Sequence, residues 1–169
     1  MESAFLSPGQ GDVEGRAGRS LYESDFYRWI QHTSTALKAK DFDQVDWDNL
    51  IEEIESMGRG ERKELKSRLI VLIEHLLKLL YWDAEKVWSG RGWRSTVIEQ
   101  RRQIQLTLED SPSLRSALLE MCPDAYQQAR EDVLLKSQLS EAAIPSEPPY
   151  AFSDLLNPRY LPGQSQPED

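Results

Sequence analysis

The chain has 169 residues and a formal net charge of −9, with 39% hydrophobic and 29% charged side chains, the make-up of a globular domain large enough to bury a core. Its longest apolar runs, LIVLI and LLKLLYW, are interrupted by Glu74, His75 and Lys78, so none reaches the roughly 20 residues that a membrane-spanning helix needs. The lone Cys122 excludes an internal disulfide and a thiolate-rich metal centre, and the first twenty residues lack the basic start and apolar stretch of a secretory signal; the expectation is a cytoplasmic protein with no membrane partner.

Residues 1–20 are rich in Gly, Ser and charge without periodicity, which predicts a disordered leader. From Leu21 the pattern changes. Tyr22, Phe26, Trp29, Ile30, Thr33, Ala36 and Leu37 recur at helical spacing, predicting an amphipathic helix that stops near Lys40. Asp46 can cap a second helix with Trp47, Leu50, Ile51, Ile54 and Met57 on its apolar face, and Gly58 and Gly60 predict a break.

A third helix is expected from about Glu61 to Trp82. Leu65, Leu69, Ile70, Leu72, Ile73, Leu76, Leu77, Leu79 and Leu80 cover more than half its circumference, which marks a central helix with neighbours on several sides. Residues 83–94, with Trp88, Trp93 and the Ser89-Gly90-Arg91-Gly92 stretch, read as a connection whose tryptophans anchor to the core. Thr96 and Glu99 have capping-box spacing, and Val97, Ile98, Arg101, Ile104, Gln105 and Leu108 give the next helix its mixed face.

Ser111-Pro112 resembles an N-cap followed by proline at the first helical position, and Pro123 predicts a break or kink before a last helix. The stretch 142–169 is Pro-rich and is expected to lie partly over the bundle through Tyr150, Phe152, Leu155 and Leu156. No segment alternates as a strand does. The predicted fold is all-α: a compact bundle of four to five helices over residues 21–141, between the leader and the tail.

Charge is unevenly spread. Residues 1–58 carry net −7, residues 59–102 net +5, and residues 103–169 net −7. Acidic helices packed beside a basic central pair explain this economically. The overall acidity argues against a nucleic-acid partner, because the flanks repel a phosphate backbone.

On a helical wheel Glu64, Arg68 and His75 fall at one edge of the third helix's apolar arc, and Asp48, Glu52 and Glu55 form an acidic stripe on the second. If those helices pack together, Glu52, Glu55, His75, Lys78 and Arg101 form a polar seam that fixes helix register. Two chemical readings compete with that structural one. A bundle metal site could use His75 with Glu52 and Glu55, but Leu72 and Trp29 stand where the Glu-x-x-His motif needs glutamate before His75 and His32, so no metal or other cofactor is expected. Arg68-x6-His75 also fits the Arg-x4-6-His pattern of the HEPN ribonuclease superfamily, although Leu69 stands where a polar residue usually follows the arginine. There is no P-loop, G-x-G-x-x-G or G-x-S-x-G.

Several segments carry a resemblance: Leu21-Tyr22 with Asp25-Phe26 and Trp29, Asn49-Leu50-Ile51-Glu52-Glu53-Ile54-Glu55, His75-Leu76-Leu77-Lys78, Trp93, Arg101, Ser111-Pro112-Ser113-Leu114, and Ala125-Tyr126 with Ala129-Arg130. On these the chain resembles the bacterial "domain of unknown function 29" family from Leu21 to about Pro158. The resemblance implies a compact all-helical fold and supplies no activity. The leading expectation is therefore a non-enzymatic binding or regulatory module acting through a protein partner or a second copy of itself, with a nucleic-acid-processing enzyme built on Arg68 and His75 as the alternative.

Overall fold

A computed structural model describes residues 20–161; the expected leader lies outside the described residues apart from Ser20, as do the last eight positions of the tail. The described residues are helical without strands, and five α-helices carry the fold: α1 (Leu21–Ser24), α2 (Phe26–Ala39), α3 (Trp47–Tyr81), α4 (Asp83–Asp110) and α5 (Leu114–Ser137). Short 3₁₀ turns occupy Phe42–Gln44, Glu141–Ala143 and Phe152–Leu156. By contact density the chain divides after Glu55, inside α3, into two compact units.

In the first unit the helix expected over 21–40 is split at Asp25. Ser20 closes a capping box with Glu23 on α1, and the Asp25 side chain accepts from the Arg28 amide, starting α2 afresh. Trp29, Thr33 and Ala36 form its buried stripe, and α2 ends at Lys40 in the left-handed conformation, φ 59°. Asp46 caps as predicted, Oδ1 accepting from the Asn49 amide at 3.4 Å and Oδ2 from the Trp29 indole at 3.3 Å. Tyr22 packs edge-on against Trp29, and its hydroxyl donates to Glu53.

The second unit departs from expectation at its helix boundaries. The predicted break at Gly58 and Gly60 does not form: α3 runs unbroken from Trp47 to Tyr81. A helical glycine costs about 1 kcal/mol against alanine, too little to stop a helix flanked by Glu, Arg, Lys and Leu, and neither glycine adopts a positive φ. The predicted connection over 83–94 is likewise helical, forming the first turns of α4. Thr96 is therefore not a cap; its hydroxyl donates to the Gly92 carbonyl inside the helix. Ser111 closes α4 and α5 begins at Leu114. Pro123 does not end α5; it and Leu119, whose carbonyl it leaves unmatched, are both exposed.

Long-range contacts fix the directions. The Ser111 hydroxyl donates to Glu61 at 3.2 Å, so α4 runs back along α3 after a one-residue turn at Trp82. Arg62–Glu120, Lys66–Asp124 and Glu74–Lys136 pair in ascending order, so α5 runs parallel to α3. The core between them holds Leu65, Leu69, Leu72, Ile73, Leu76 and Leu77 from α3, Val97, Ile104 and Leu108 from α4, and Ala125, Tyr126, Ala129 and Val133 from α5. Each buried leucine or isoleucine contributes roughly 1.5–3 kcal/mol, so the apolar arc of α3 is the principal source of stability here.

The chain after α5 is held by side chains reaching its backbone. Arg130 donates to the carbonyls of Ile144 and Glu141, and the Tyr126 hydroxyl to that of Pro145 at 2.8 Å. Ile144 and Leu155 are buried, and Tyr150, Phe152 and Leu156 pack against the core.

Candidate functional site

The polar residues of interest sit where α3 meets α4, α5 and the C-terminal segment. Glu74 lies on the buried face of α3 and is 6% exposed. One of its carboxylate oxygens takes Lys78 Nζ, one turn later on α3, at 2.6 Å and Lys136 Nζ, from the end of α5, at 2.7 Å. Burial alone pushes the Glu74 carboxyl up, but the hydrogen bonds from Lys136 and Lys78 outweigh it and hold the group below the ordinary carboxylate range. The same hydrogen bond raises Lys136. Lys78 Nζ also stands 6.0 Å from the centre of the Trp93 ring, which stacks on Trp82.

The residues predicted to share a seam are only partly gathered. His75 and Lys78 are neighbours of this cluster. His75 is half-buried and its Nδ1 lies 2.8 Å from the Val71 carbonyl. A carbonyl only accepts, so Nδ1 carries the proton and Nε2 is left as the acceptor of a neutral ring. Burial lowers the His75 pKa, opposed by the Val71 bond. Glu52 and Glu55 do not meet this cluster in the way expected. The packing that would have joined them required two separate helices, and their segment is continuous with that of His75 in α3; both belong to the first unit and are exposed. Among the described residues no group of three or more His, Cys, Asp or Glu side chains converges to hold a metal.

Arg68 lies on the face of α3 shared with His75, but its guanidinium is held by Glu64, at 2.6 and 3.1 Å, and no hydrogen bond joins it to the imidazole. Arg101 is buried in α4: its Nε donates to the Leu155 carbonyl at 2.6 Å, while among the described residues Nη1 and Nη2 are buried without a partner. Burial lowers its pKa, with the Tyr160 hydroxyl opposing. Arg101 is one of the residues lining a cleft of about 520 Å³, with Ile98, Arg102, Gln105, Leu156 and Pro158.

Two of these features escaped sequence reasoning. Glu74 was visible as a charge interrupting an apolar run four residues before Lys78, a spacing that signals an ion pair. Nothing local points to Lys136, which arrives from 62 residues away, or to the Leu155 carbonyl that fixes Arg101. Of the two tryptophans expected to anchor a loop, Trp93 is buried in the core and Trp88 is 82% exposed.

No curated protein and no solved structure matches the chain. Residues 21–161, nearly all of the described chain, match the model of a family described as "Domain of unknown function DUF29", and the chain belongs to that family.

Proposed function

We propose that the protein is a non-enzymatic docking module and that its partner is a second protein presenting a basic amphipathic helix. The observation that carries this reading is the start of α3, where Trp47, Ile51 and Ile54 lie within about 60° of one another on the helix wheel yet are 46%, 52% and 59% exposed. Single exposed apolar residues are ordinary, but a contiguous stripe marks an interaction surface. Phe26, Tyr27 and Ile30 on α2 add exposed apolar area in the same unit.

Charge selects the occupant. Asp48, Glu52 and Glu55 flank the stripe and are exposed, and residues 20–55 carry nine carboxylates against three basic side chains. Two copies of this stripe face to face would oppose like charges, whereas a helix with leucines on one face and lysines beside them would complement it. Of the ionisable groups on α3, Arg68 is held by Glu64 and Lys78 by Glu74. The buried, unpaired thiol of Cys122 supports a reducing, cytosolic setting.

A synthetic amphipathic helix of leucine and lysine, titrated by fluorescence anisotropy, tests the reading against an otherwise identical leucine–glutamate helix. Only the basic helix binds, binding weakens with salt, and Ile51→Glu with Ile54→Glu abolishes it. Equal binding by the double variant refutes the stripe. A concentration-dependent dimer that the same substitutions dissolve makes a second copy the occupant instead.

A further inference from the structure

The Arg101 cleft is independent of that surface and carries a different inference. Arg101 is 5% exposed. A guanidinium offers five N–H donors, and of these only Nε is used, by the Leu155 carbonyl. Nη1 and Nη2 are buried and unpartnered, and among the described residues no carboxylate pairs with them. An uncompensated buried cation is costly, and an unsatisfied buried polar group calls for an explanation, a bound ion or water among them. The two Nη atoms present parallel donors, the fork that receives a carboxylate in bidentate fashion.

The rest of the cleft says what that carboxylate is attached to. Arg102 is spent on Glu99, at 2.7 and 2.9 Å, and Gln105 donates to Glu109 at 2.9 Å. Ile98, Leu156 and Pro158 supply apolar walls. One uncommitted guanidinium against apolar walls suits a single negative charge on a hydrocarbon body better than a phosphate, whose second charge would find no free cation. The cleft volume of about 520 Å³ lies within the range of small-molecule sites. We propose that the cleft between α4 and the C-terminal segment binds a small apolar monocarboxylate, its carboxylate seated on Arg101 Nη1 and Nη2 and its hydrocarbon against Ile98, Leu156 and Pro158.

Octanoate is the probe, titrated into the full chain by isothermal calorimetry. The expected result is saturable binding at one site with Kd at or below about 1 mM, undisturbed by equimolar inorganic phosphate. Arg101→Gln abolishes it, but Arg101 also tethers Leu155, so that variant can fail by unfolding. Ile98→Glu avoids this: Ile98 is 61% exposed, so the substitution places a carboxylate at the cleft wall without disturbing the core. It weakens octanoate about tenfold or more at unchanged melting temperature. Absence of saturation in the wild type, full affinity in Ile98→Glu, or phosphate competing as well as octanoate overturns the proposal.

Discussion

Removing the Glu74 carboxylate tests the buried ion cluster most directly. In Glu74→Ala the two lysines lose their shared anion, but they do so unequally. The Lys136 side chain is 50% exposed and turns to solvent at little cost. The Lys78 side chain is 11% exposed, and its ammonium, on the inward face of α3 near Trp93, is left without a counter-ion. Breaking one side of a buried pair costs about 3–5 kcal/mol, and each step of about 1.4 kcal/mol is a tenfold rise in the unfolded-to-folded ratio. Replacing the pair together, Glu74→Leu with Lys78→Met, removes both charges and keeps the volume, so the double variant returns to within about 1 kcal/mol of the wild type. Urea denaturation of the wild type, Glu74→Ala and the double variant gives both values. A single-variant loss below about 1 kcal/mol would show that Lys78 escapes to water and that the pair is not buried. Acid provides a second check. Because the folded pKa of Glu74 lies below the ordinary 4.5, its stabilisation is complete above the unfolded value and is lost as pH falls through the folded one; Glu74→Gln lacks that loss.

Three further outcomes follow from the same geometry. His75 has its pKa lowered by burial from the ordinary 6.5, so the unfolded chain binds the proton more readily and stability declines as pH falls from about 7 toward 5; thermal melts of His75→Gln flatten that decline, and parallel wild-type and variant curves would contradict it. Burial pushes the Cys122 thiol up to about 11, leaving almost no thiolate at pH 8, so iodoacetamide labels the protein only as fast as it unfolds, and prompt labelling under native conditions would refute its burial. Gln138 closes α5 with φ 58°, a conformation a side chain disfavours, so Gln138→Gly stabilises by about 0.5–1 kcal/mol, read as a raised melting temperature.

The helical class and the core of α3 were legible because both depend on a periodicity that short windows contain. The leucines and isoleucines at 65, 69, 72, 73, 76 and 77 announce a buried face and are fully buried. Helix boundaries were not legible, for an energetic reason. Gly58, Gly60, Gly90 and Gly92 each weaken a helix by about 1 kcal/mol, which looks decisive in an isolated segment. In the chain those positions are bridged by long helical stretches on both sides, and the packing of Leu65 and beyond on α3, and of Trp93 and Val97 on α4, outweighs the local deficit. Tertiary burial overrides propensity wherever the two compete within a few kcal/mol.

The site was legible in its parts and not in its partners. A charged residue on an apolar helix face must find a counter-group, so Glu74, Lys78 and Arg101 could be flagged from spacing alone. Which group answers is a matter of which distant segment arrives, and no local rule fixes that. The two buried cations show how different the answers are. Lys78 finds a carboxylate one turn away on its own helix, reinforced by a lysine of α5, and the charges close within the protein. Among the described residues Arg101 finds only a carbonyl of the C-terminal segment, which satisfies one donor and no charge. Had Arg101 served only to tether Leu155, a neutral donor such as glutamine would meet the same carbonyl without the cost of burying a cation. A guanidinium whose Nη1 and Nη2 are buried without a partner among the described residues, in a residue that lines a cleft, is what separates a structural polar contact from the anion site proposed above.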